Sequence, residues 1–111
     1  MDVSGIQERL RQFAADRDWE KYHSPKNLSM ALTVEASELM EVFQWVGADE
    51  SRRIVEHPDK VAQVGAEIAD ICIYAIRLAD VMGIDLDAAI DRKIDQNIEK
   101  YPPDANRHWS L

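Results

Sequence analysis

Along the 111-residue chain, apolar residues recur at intervals of three and four, the spacing that gathers them on one face of a helix. Ile6, Leu10, Phe13 and Ala14 form the first such stripe and predict a helix from about Val3 to Asp18. The stretch Asp18-Trp-Glu-Lys-Tyr-His-Ser-Pro25 breaks the period. Pro25 disfavours a helical Ser24 and suits the first turn of a new helix, with Ser24 as its cap. That second helix carries Leu28, Leu32, Leu39, Val42 and Phe43 and is expected to stop at Gly47, read as a left-handed terminator. A short charged piece, Asp49 to Glu56, follows, and Pro58 punctuates it. The third helix is predicted from about Asp59 to Met82, ending at Gly83. Its centre, Ile68-Ala-Asp-Ile-Cys-Ile-Tyr-Ala-Ile76, is apolar on nearly every side, which predicts burial all round. A fourth helix runs from after Asp85 to about Lys100 and is ended by Tyr101-Pro-Pro; residues 102–111 read as an irregular tail.

There is no strand-like alternation, no Asn-Gly or Asp-Gly hairpin turn and no internal repeat. The expected fold is therefore all-α, one domain over 1–111: a bundle of four main helices plus a short connecting helix. So few helices with such wide apolar faces imply completion by a second subunit, as a homodimer or homotetramer.

Composition sharpens this. A hydrophobic content of 46% with 31% charged residues fits a folded globular chain. The net charge of -8 argues against a nucleic-acid polymer as partner, since phosphate contacts need clustered Lys and Arg. It leaves room for a nucleotide, because a bound cation reverses the local sign. Cys72 is the single cysteine, so neither an internal disulfide nor a thiolate zinc site is expected. The N-terminus lacks the pattern of a signal peptide, and the apolar run near Ile68 to Leu78 is far short of the ~20 residues of a membrane span. A cytoplasmic address and no membrane partner are the expectations.

Four acids stand out because they sit where core residues belong. Glu35 and Glu38 share one face of the second helix, and Glu67 and Asp70 one face of the third, since residues three apart are neighbours. Desolvating an unpaired charge costs several kcal/mol or more, so each must protonate, find a cation or face water. No Lys or Arg lies between Lys26 and Arg52, and none between Lys60 and Arg77. Clustered carboxylates raise one another's pKa, and a divalent ion removes that penalty. An all-oxygen set without Cys or His suits Mg²⁺, with Mn²⁺ as the alternative. Di-iron bundles add Glu-x-x-His motifs, which are missing here. Against this stands the reading of such pairs as solvated faces, common in a chain with 21 acids; two pairs on apolar, cation-poor helices favour the metal. Glu41 extends the first series as an auxiliary ligand or a solvent-facing acid.

Glu35-Ala-Ser-Glu38 followed by Glu67-Ile-Ala-Asp70 resembles the paired acidic motif of the MazG-like all-α nucleoside triphosphate pyrophosphohydrolases. His23-Ser-Pro-Lys-Asn27-Leu, Leu39-Met-Glu-Val-Phe-Gln-Trp45, Asp70-Ile-Cys-Ile-Tyr74 and Lys93-Ile-Asp-Gln-Asn97-Ile-Glu-Lys-Tyr101-Pro are similar to its dCTP pyrophosphatase branch. One ExxE is a weak signal; five segments in order, from about Phe13 to Pro102, are a strong one. The resemblance implies Mg²⁺-dependent cleavage between the α and β phosphates of a nucleoside triphosphate. It implies dCTP or a modified pyrimidine deoxynucleotide as substrate, with a place in nucleotide-pool sanitation. It makes Glu35, Glu38, Glu67 and Asp70 the metal ligands. Of these, Glu38 and Glu35 are the candidate catalytic carboxylates, and a carboxylate not fully used by the metal, Glu38, is expected to accept the attacking water's proton.

The resemblance also implies substrate contacts. His23, Asn27 and Trp45 match positions near base and sugar, Tyr74 packs against the deoxyribose, and Lys93 and Asn97 match phosphate contacts. Four of them have a plainer reading: Trp45 and Tyr74 as core or interface, His23 as a loop-holding residue, Lys93 as a solvated side chain. Trp19 fits an aromatic that precedes the His segment, as pocket wall or core. Lys26 and Lys100 stand where arginine is expected, which loses the bidentate fork toward phosphate. The alternative function is a non-enzymatic helical oligomerisation module stabilised by metal.

Overall fold

The computed structural model describes residues 1–103. The tail segment around Asn106, Arg107 and Trp109 therefore lies outside the described residues. All described regular structure is helical, as expected. Helix α1 spans Val3–Asp16, α2 Pro25–Phe43, α3 Ala48–Arg52, α4 Pro58–Val81 and α5 Leu86–Lys100. Short 3₁₀ turns at Glu20–Tyr22 and Arg53–Glu56 lie in the connections.

The boundaries follow local chemistry. Asp2 caps α1 by accepting from the Gly5 backbone N–H at 2.9 Å. Ser24 caps α2 in the expected way, its Oγ accepting from the Asn27 N–H at 3.1 Å, with Pro25 in the first turn. Asp85 caps α5 through the Ala88 N–H.

Two expected ends move. The first helix stops at Asp16, because Asp18 takes a left-handed conformation with φ 55°. The Asp18 N–H then bonds Ala15 O and the Trp19 N–H bonds Ala14 O, closing a Schellman-type end. Gly83, with φ 67°, closes α4 in the same way through the Ile84 N–H to Ala79 O. Gly47 is not the left-handed terminator expected of it. The second helix ends at Phe43, and Gly47, at φ -74° and ψ 166°, is the extended cap residue of α3.

Helix α4 is the centre of the fold: α2 packs against it extensively and α1 to a lesser extent. Among the described residues the buried core is small, made of Val3, Ala14, Leu28, Ile76 and Ala79. The centre of α4 is not covered all round as its composition predicts: Ile68 is 48% exposed and Ile73 37%. Helix α5 makes only slight contact with the rest of the described chain, and its Ile90, Ile94 and Ile98 face outward. The radius of gyration, 17.0 Å, exceeds the roughly 13 Å of a compact chain of this size. No helix among the described residues is long and apolar enough to cross a membrane.

Candidate active site

Packing α2 against α4 brings Glu35 and Glu38 of one helix to Glu67 of the other. One carboxylate oxygen from each lies within 4.8 Å of the other two. Glu35 and Glu67 are half-buried, whereas Glu38 is exposed. The Oε2 atoms of Glu35 and Glu67 are buried without any hydrogen-bond partner among the described residues. Burial, reinforced by hydrogen bonding to and repulsion from Glu38 and by neighbouring Glu67 and Asp70, holds the Glu35 carboxyl up at about 7. Two orphaned acceptors facing a third carboxylate are a donor set for a hard divalent cation, which fits the expected metal chemistry. Among the described residues, no histidine joins the set.

Asp70 stands beside this trio rather than within it. It is close enough to push up the pKa of Glu35, and it also lines a neighbouring cavity. That cavity, about 350 Å³, is lined by Leu10, Phe13, Trp19, His23, Asp70, Ile73, Tyr74 and Arg77. Its size is in the range of small-ligand sites. Phe13 and Trp19 meet edge to face, centroids 5.6 Å apart, and the Arg17 guanidinium covers the Phe13 ring at 3.6 Å. The Schellman-type end of α1 is what turns Trp19 back onto Phe13. Asp70 therefore joins an acidic pole to an aromatic one.

The expected site residues divide. Glu35, Glu38 and Glu67 converge, Asp70 adjoins them, and His23 and Tyr74 line the cavity with Trp19. Asn27 instead ties down the loop before α2, its side-chain amide donating to Tyr22 O at 2.9 Å. Trp45 is 89% exposed and outside the cavity lining. Lys93 and Asn97 sit on the outlying α5, away from the lining as well. Glu41 is exposed. Sequence reasoning missed Phe13, Ile73 and above all Arg77, a buried charge at 8% exposure. The available signal was a lone Arg within the most apolar helix with Asp80 three residues on.

Residues 30–110 match the model of the MazG-like family. The chain belongs to that family. Like this MazG-like chain in sequence are dCTP pyrophosphatase 1 of Rattus norvegicus, 40% identical over 86% of this chain, and that of Homo sapiens, 41% identical over 82%. The matches cover 56% and 54% of those proteins, so the chain spans about half the length of the curated relatives it matches. Among solved structures, a pyrophosphatase from Archaeoglobus fulgidus superposes with a TM-score of 0.83 at 39% identity, covering 92% of this chain and 94% of that one. The MazG-like family thus accounts for the all-helical architecture.

Proposed function

We propose that this chain is a divalent-metal-dependent nucleoside triphosphate pyrophosphohydrolase that releases a monophosphate and pyrophosphate. The observation that carries the proposal is the pair of partnerless carboxylate oxygens on Glu35 and Glu67, beside an aromatic cavity that Asp70 adjoins. The likeness to dCTP pyrophosphatases and to a solved pyrophosphatase supports the reaction class.

Glu35, Glu38, Glu67 and Asp70 would hold the metal, Mg²⁺ or Mn²⁺ by their all-oxygen chemistry. Bound there, the ion would supply charge neutralisation for the triphosphate and acidity for the attacking water. Glu38, the exposed member of the trio, would accept that water's proton, with Glu35 beside it. Trp19, Tyr74 and Phe13 offer aromatic faces to a base, and His23 reads its edge.

The proposed substrate is dCTP or a modified pyrimidine deoxynucleotide, in cytoplasmic nucleotide-pool sanitation. The proposed assembly is a homodimer or homotetramer in which α5 covers apolar surface of another copy and brings Lys93, Asn97 and Trp45 toward a site. The exposed isoleucines of α5 and of the α4 centre support that arrangement. The thin core also suits a purely structural oligomerisation module. An aromatic cavity beside the acids favours the enzyme.

The test is incubation with each deoxynucleoside triphosphate and Mg²⁺, followed by assay of pyrophosphate. Pyrophosphate and monophosphate in equal amounts are expected. Release of orthophosphate alone, or no turnover with any nucleotide, overturns the reading.

A further inference from the structure

Arg77 lies two helical turns beyond Asp70 on α4, and its guanidinium is held at two points. Its Nη1 reaches Asp80 Oδ2 at 3.4 Å, and its Nε donates to His23 Nδ1 at 3.2 Å. Asp80 is itself fixed by Arg11, whose Nε and Nη2 donate to its two carboxylate oxygens at 2.7 Å each. The chain Arg11–Asp80–Arg77–His23 thus crosses from α1 through α4 to the loop before α2.

The direction of the last bond has a chemical consequence. Arginine has donors only, so the His23 Nδ1 must present a lone pair. A neutral imidazole with an unprotonated Nδ1 carries its proton on Nε2. His23 lines the aromatic cavity, and with Nδ1 occupied the Nε2–H is its remaining polar group.

We propose that Arg77 is a positioning residue that locks His23 in its Nε2–H tautomer and fixed ring orientation, so that the cavity presents a permanent hydrogen-bond donor. The matching ligand group is an acceptor on a heterocycle, a ring carbonyl or an unprotonated ring nitrogen. Burial, aided by the Arg77 charge and opposed by Glu20, lowers the His23 pKa, which supports the neutral form. The ligand side of this inference rests on the nucleotide reading above; the tautomer does not.

The test separates the two. Ring-nitrogen NMR of His23 in the metal-free, ligand-free protein is expected to show an unprotonated Nδ1 and a protonated Nε2. Arg77→Met is expected to move both nitrogen signals toward those of a mixed-tautomer or charged ring, and Arg77→Lys to move them less. With the preferred nucleotide, Arg77→Met is expected to raise KM by about tenfold, the size of one lost hydrogen bond, with kcat changed much less. A proton on Nδ1 in the wild-type protein overturns the lock without need of any variant. Unchanged nitrogen signals in folded Arg77→Met overturn it too. Altered signals with unchanged KM overturn the role in ligand recognition. If no nucleotide is turned over at all, the proposed function fails, and the tautomer lock is still decided by the nitrogen signals.

Discussion

Glu35 on α2 and Glu67 on α4 face each other with both Oε2 atoms buried and without hydrogen-bond partners among the described residues. Such an arrangement is costly until a cation enters it. Calorimetric titration is expected to show Mg²⁺ or Mn²⁺ binding that Glu67→Gln weakens by at least about 10- to 100-fold, the range seen even for residues that only support metal ligands. Equal affinity in the variant would remove Glu67 from the metal site.

The same crowding predicts an unusual pH response. The Glu35 carboxyl titrates at about 7 in the folded chain against an ordinary 4.5. Between those values the folded state keeps a proton that the unfolded state has lost, so stability falls as pH rises through the window. In chelator, the wild-type Tm is expected to drop across this window more than that of Glu35→Gln. Parallel Tm profiles for the two proteins would show that Glu35 is not perturbed.

Much of this site is legible in the sequence. The i,i+3 spacing placed each acidic pair on one face, and the lack of nearby cations marked them as unpaired. Which pair members converge was not legible, because it depends on the register between α2 and α4; that register brings in Glu67 and leaves Asp70 to face the cavity. The cap at Ser24 could be read from local chemistry. The early stop of α1 could not, because it depends on Asp18 adopting a conformation usually taken by glycine. Burial around α4 was overestimated because composition shows that a face is apolar but not what covers it, and α5 leaves it open within one chain.

The Arg11–Asp80–Arg77 relay should show unequal energetics. Arg11 is 54% exposed on its side chain, so Arg11→Ala is expected to change stability little. Asp80→Ala strands the buried Arg77 charge and is expected to cost about 3 kcal/mol. Asp80 has a lowered pKa, chiefly from its hydrogen bonds with Arg11. Its contribution is therefore present above the ordinary carboxylate range and is lost as pH falls below it. Urea unfolding of the two variants checks the order; equal losses would contradict it.

Leu28 is the one large side chain among the described residues that is fully buried, at 1% exposure, and it anchors the first turns of α2. Leu28→Ala is expected to lower stability by about 2–5 kcal/mol, with a loss of cooperativity on unfolding. A change under about 1 kcal/mol would mean that another contact, such as one between copies, holds α2 in place.

The most direct test of the proposed chemistry measures dCMP and pyrophosphate formed from dCTP as Mg²⁺ is titrated, in wild type and in Glu38→Gln. Equal amounts of the two products, appearing only with the metal and lost in a variant that keeps its helical content, are predicted. Metal-independent turnover, orthophosphate as the product, or full activity in Glu38→Gln would contradict it.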